Sequence, residues 1–155
     1  MSTEAVPAPV TVEMERESQC LDELLAAQPQ SYFIEFWTFP CTKVSLRDVV
    51  QVADGKTSAS LRYSNACCGV CPVGSGTIKQ DFDPLGKSVT ITMPAGMSAK
   101  GTLTDFDAKR ATYSTESKHP VTGSTFEGSI VIDFAAKTKA VKLHSGMKMV
   151  ELHGE

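Results

Sequence analysis

The chain has 155 residues, of which 41% are hydrophobic and 21% charged, with a formal net charge of −3. That composition excludes wholesale disorder and suits one domain able to bury roughly 70% of its unfolded surface. Mild acidity argues against nucleic acid as a partner, because phosphate binding needs a concentrated basic surface. No apolar run approaches the ~20 residues of a transmembrane helix, so no transmembrane segment is expected.

The chain opens Met-Ser-Thr-Glu-Ala-Val-Pro-Ala-Pro. It shows neither a basic n-region nor an apolar h-region, so the expected location is cytoplasmic; secretion would need a leader ahead of it. Residues 1–17 have little periodic apolar content and read as a flexible tail. That leaves 18–155 as a single domain. Ser18 is a candidate N-cap for a short helix, with Asp22 and Glu23 early in it and Leu21, Leu24 and Leu25 on one face. Pro29 ends that helix, because proline lacks the amide donor.

After Pro29, β-branched and aromatic residues dominate. Tyr32-Phe33-Ile34-Glu35-Phe36-Trp37-Thr38-Phe39 is the strongest strand signal. It is apolar on both faces, which predicts one face toward a core and the other covered, with the 18–28 helix a candidate cover. Asp54-Gly55, between Val49–Val52 and Lys56–Ser64, is a two-residue hairpin signal. Three similar segments follow, opening at Gly76, Gly101 and Gly128, each reaching an Asp/Phe pair and a short turn before a second strand. Shared hairpin grammar explains them more simply than a true repeat. Ile78 and Phe82, with Val89, Ile91 and Met93, alternate against Lys79, Asp81, Ser88, Thr90 and Thr92, the period of a sheet with one wet face. About nine strands at hairpin spacing predict an all-β chain. Consecutive hairpins favour an antiparallel up-and-down β-barrel with one short N-terminal helix.

The segment Ser31 to Pro40 resembles the opening strand of the lipocalin (calycin-like) family, a glycine-x-tryptophan motif followed by aromatic and acidic residues. Phe33 stands at the tryptophan position and Ser31 at the glycine, so both motif letters are replaced. Gly76 to Asp83 followed by Val89-Thr90-Ile91 is similar to the middle hairpin of that fold, and Tyr113 to an aromatic of a later strand pair. The resemblance implies a lipocalin-like barrel that holds and transports a small hydrophobic, lipid-like ligand.

Phe33, Trp37, Tyr63, Phe82, Met93 and Tyr113 are the large side chains that could line such a cavity, or simply fill a core. Glu35 either shares the cavity face with Phe33 and Trp37 by alternation or faces solvent. Cys67-Cys68-Gly69-Val70-Cys71 offers Cys67, Cys68 and Cys71 as thiolate ligands for zinc, with Cys20, Cys41 or His119 as candidates to complete four. Inert thiols and a disulfide are the alternatives. His119, His144 and His153 are scattered, and the Asp-x-Asp pairs at 81/83 and 105/107 suit turns better than calcium. The expected function is a non-enzymatic carrier of an apolar or amphipathic ligand. The alternatives are a barrel enzyme of isomerase or cyclase type and an interaction module whose cysteine loop binds metal. The oligomeric state is not legible.

Overall fold

The computed structural model describes residues 12–38, 41–119, 121–142 and 148–155. Phe39, Pro40, His144 and residues 1–11 of the expected tail lie outside them. One helix, α1 (Val12–Ala26), precedes ten strands. These are β1 (Ser31–Thr38), β2 (Thr42–Ala53), β3 (Lys56–Cys67), β4 (Cys71–Asp83), β5 (Ser88–Thr92), β6 (Ser98–Phe106), β7 (Arg110–Lys118), β8 (Thr125–Asp133), β9 (Thr138–Lys142) and β10 (Val150–Gly154). Each strand pairs antiparallel with its neighbour in sequence, and β10 closes on β1. The sheet is therefore a closed up-and-down barrel, which leaves no sheet edge to template aggregation.

The hairpin signals translate directly. Asp54 and Gly55 both take positive φ, 54° and 72°, as a two-residue hairpin turn requires. The three look-alike segments become the β4–β5, β6–β7 and β8–β9 hairpins. Their aspartates are turn residues. Asp83 accepts from the Gly86 amide at 3.1 Å, Asp107 from Arg110 at 2.9 Å and Asp133 from Ala136 at 2.9 Å. The Ala136 amide and Arg110 together hold the Asp133 carboxyl below its ordinary pKa.

Two elements differ from the sequence reading. The helix is already formed at Val12, so residues 12–17 are its first turns rather than tail, and Ser18 lies inside it instead of capping it. The tenth strand, β10, goes beyond the nine or so that the sequence predicts. It is short, but it carries the closure, with Tyr32 opposite Gly154 and Phe33 opposite His153.

The helix lies across one end of the barrel, not over the outer face of β1. Leu21 and Leu25 are fully buried in the same core as Tyr32, Phe82, Val89 and Ile132. Glu17 reaches Lys87 in the β4–β5 turn at 3.7 Å, and the Tyr32 hydroxyl donates to Gln28 just beyond the helix at 2.9 Å. Both contacts sit at the end where β1, β3, β5, β7 and β9 begin, and the opposite end has no such plug among the described residues. No described helix is long and apolar enough to cross a membrane.

Candidate functional site

At the unplugged end the inward positions of β1–β4 and the β5–β6 connection converge on an apolar cavity of about 370 Å³. Its walls are Phe36, Val44, Leu46, Leu61, Tyr63 and Ile78, with Met93, Pro94 and Met97 on the far side and Asn65 as the polar group. The Met93 amide donates to the Met97 carbonyl at 2.8 Å, which folds the β5–β6 connection so that both thioethers reach the cavity. Gly76 has no side chain because Tyr63, its register partner, lies over it; a Cβ there would stand 2.8 Å from a ring carbon. Below Leu61, Ile78 and Met93 the space shrinks to about 20 Å³ beside Gln80, Thr115 and Ser117. That is room for roughly one water.

Beneath this constriction lies a buried polar network that no sequence motif announced. Lys139 from β9 donates through Nζ to Asp48 Oδ2 of β2 at 2.5 Å and to Gln80 Oε1 of β4 at 2.6 Å. Gln80 Nε2 in turn donates to Asp48 Oδ1 at 2.9 Å. Lys139 and Asp48 are wholly inaccessible, and Gln80 is 2% exposed. Lys139 Nζ also stands 5.4 Å from the Phe82 ring centroid, so the aromatic face meets its charge as well. An unpaired charge here would carry a penalty of several kcal/mol, and mutual pairing with full hydrogen bonding offsets it. Every polar atom of the three side chains has a partner within the set. They bolt three distant strands together and form the floor of the cavity.

Tyr113 packs edge-on against Phe82, ring centroids 5.7 Å apart, and its buried hydroxyl has no partner among the described residues. Burial, with the Asp83 charge second, raises the Tyr113 phenol above its ordinary pKa. Tyr32 is raised in the same way, by burial first and by Asp48 second.

Of the side chains expected to line a cavity, Tyr63 and Met93 do so. Phe82 and Tyr113 face inward but belong to the packed floor. Phe33, Glu35 and Trp37 lie on the outer surface of β1, because Tyr32, Ile34 and Phe36 take the inward parity. Phe33 sits under the Arg47 guanidinium at 4.8 Å, Glu35 pairs with Lys43 at 3.1 Å, and Trp37 is 58% exposed. A one-residue shift in parity sends every side chain of a strand to the other face. With apolar residues at both parities, only the charged Glu35 signalled which set was outer. The cavity residues missed are Phe36, Val44, Leu46, Leu61, Asn65, Ile78, Pro94 and Met97.

Cys67, Cys68 and Cys71 stay at the unplugged rim, all exposed. Among the described residues no group of three or more His, Cys, Asp or Glu is arranged to hold a metal ion. The Cys67 and Cys68 thiols are held above their ordinary pKa, Cys67 chiefly by Cys68 and Cys68 chiefly by Cys41. The other candidate ligands are elsewhere. Cys20 is on α1, and His119 Nδ1 accepts from the Val121 and Thr122 amides at 3.2 Å each.

A larger depression, about 460 Å³, lies on the outer face around Phe33, Arg47 and Arg62. Its lining is hydroxyl-rich, and Arg47 is already committed to Glu155 at 3.1 Å. The smaller apolar mouth is the better candidate, since apolar concavity supplies the driving force for holding a ligand.

Fold and site together define a closed ten-stranded antiparallel barrel, plugged at one end and apolar at the other. Compared with family models, with curated proteins and with solved structures, the chain finds no match.

Proposed function

We propose that this protein is a non-enzymatic binder of a small apolar or amphipathic molecule, seated in the unplugged mouth of the barrel. The observation that carries the reading is the cavity between Phe36, Leu46, Ile78, Met93 and Met97. Its volume falls at the lower end of the range for small-molecule sites, roughly 300–1,000 Å³. An apolar body would sit among these side chains, and a polar group would meet Asn65 at the rim. Methionine adapts its shape, so a range of ligand outlines is accommodated. The kinship this supports is one of architecture: an up-and-down closed barrel, as in lipocalins, with ten strands where those have eight.

The test is titration with the fluorescent probe 8-anilinonaphthalene-1-sulfonate. Saturable one-to-one binding is expected, lost in Phe36→Glu and Met97→Glu while both variants melt as the parent does. Binding that is absent in the parent, or unchanged in both variants, overturns the reading.

A further inference from the structure

Four of the five cysteines gather at one side of the unplugged rim, and their arrangement does more than place thiols near each other. The Cys68 amide, in the turn after β3, donates to the Cys41 carbonyl, at the start of β2, at 2.6 Å. This bond joins two segments that the β2–β3 ladder has already brought side by side, with Thr42 opposite Cys67. By the same register Cys41 and Cys68 stand opposite each other at the end of that ladder, with their side chains close enough for Cys41 to raise the pKa of the Cys68 thiol. Both residues are exposed, so a small oxidant reaches them.

We propose that Cys41 and Cys68 are a modification site: a reversible disulfide that staples the start of β2 to the β3–β4 turn beside the barrel mouth. The oxidant class is a hydroperoxide. One thiol attacks the peroxide oxygen, giving a sulfenic acid and water (or the alcohol of an organic hydroperoxide); the second thiol displaces hydroxide from that sulfur, forming the S–S bond and releasing water. Two electrons pass from the two sulfurs to the peroxide, and a dithiol reductant returns them.

Other pairings exist on the same rim. Cys67 touches Cys68, but bonding neighbours closes a strained eight-membered ring through one peptide unit. Cys67 and Cys71 face each other across their hairpin. The Cys41–Cys68 pair is favoured because its backbone bond at 2.6 Å already fixes the two residues against each other, and disulfides tolerate little misplacement. The Cys67 and Cys68 thiols are held above their ordinary pKa, chiefly by the neighbouring cysteine sulfurs, so reaction quickens as pH rises. A reporter is built in. The sole tryptophan, Trp37, lies over Gly69, next in sequence to Cys68.

The experiment treats the full chain with hydrogen peroxide, digests it with trypsin without reduction, and maps the linked peptides by fragmentation mass spectrometry. Expected are loss of two of the five free thiols, a monomeric cross-link between peptides 17–43 and 63–79, reduced Trp37 emission, and reversal by dithiothreitol. Peptide 17–43 holds both Cys20 and Cys41, and 63–79 holds three cysteines, so serine variants assign the bond. Cys41→Ser and Cys68→Ser should lose the link; Cys20→Ser, Cys67→Ser and Cys71→Ser should keep it. A Cys67–Cys71 bond, a link surviving Cys41→Ser, a bond between chains, or sulfinic acid without any link overturns the proposal.

Discussion

The two ends of this barrel are built from the same strands with the same alternation, yet one is core and the other is pocket. At the plugged end Tyr32, Val89, Ala111, Ile132 and Leu152 have no exposure at all. At the other end Phe36, Val44, Tyr63 and Met93 occupy equivalent inward positions and are only half-buried. The difference is α1, whose Leu21 and Leu25 complete one end, and the Asp48–Gln80–Lys139 floor that separates the halves. An inward-facing apolar side chain becomes core only where something else fills the space beyond it.

That comparison can be broken from the floor upward. The largest effect is expected for Lys139→Ala, which strands the Asp48 charge in a dry interior; the loss should be about 3–5 kcal/mol by urea unfolding. Replacing all three partners with apolar residues of similar volume should recover most of it, because the penalty belongs to the unpaired charge rather than to the lost pair. If Lys139→Ala unfolds like the parent, the floor is not a closed network. Leu25→Ala should cost about 2–4 kcal/mol and open space under the plug. Probe binding at the mouth should survive it, since the floor lies between.

Alkaline pH offers a test confined to the plugged half. Unfolded Tyr32 and Tyr113 ionise near 10.0, but both native phenols are held higher by burial. The unfolded state therefore sheds protons that the native state keeps, and stability declines as pH rises past that value. The slope should be about 1.4 kcal/mol per pH unit per tyrosine. Absorbance at 295 nm should show the Tyr32 and Tyr113 phenols withheld until the chain unfolds.

Smaller still, Phe36→Ala should cost only about 1 kcal/mol, because its side chain is half-exposed, while abolishing probe binding. Tyr113→Phe should be within about 0.5 kcal/mol of the parent, or slightly more stable. It removes a buried hydroxyl that has no partner among the described residues. A large loss there would mean that the hydroxyl is bonded after all.

Much of the barrel could be read from the chain, residue by residue. Asp54-Gly55 and the three Gly-led segments announced their hairpins because turn chemistry is local. The missed β10 has only five residues, and its role comes from pairing with strands at both chain ends, which no local window contains. The floor left a faint trace. Asp48 sits between Leu46 and Val50, Gln80 between Ile78 and Phe82, and Lys139 two before Val141, each at an inward parity. On its own, each looks like a polar residue spoiling an apolar face.

The amino-acid order thus determined by itself most of the strands, four of their hairpins and the antiparallel meander, since alternation and turn preference act over a few residues. Only the tertiary structure decided which face of β1 looked inward, which end was stoppered and which polar groups could be buried. The bonds of the floor span 32, 59 and 91 positions. Whether a charge may leave water depends on partners that arrive only when the barrel closes.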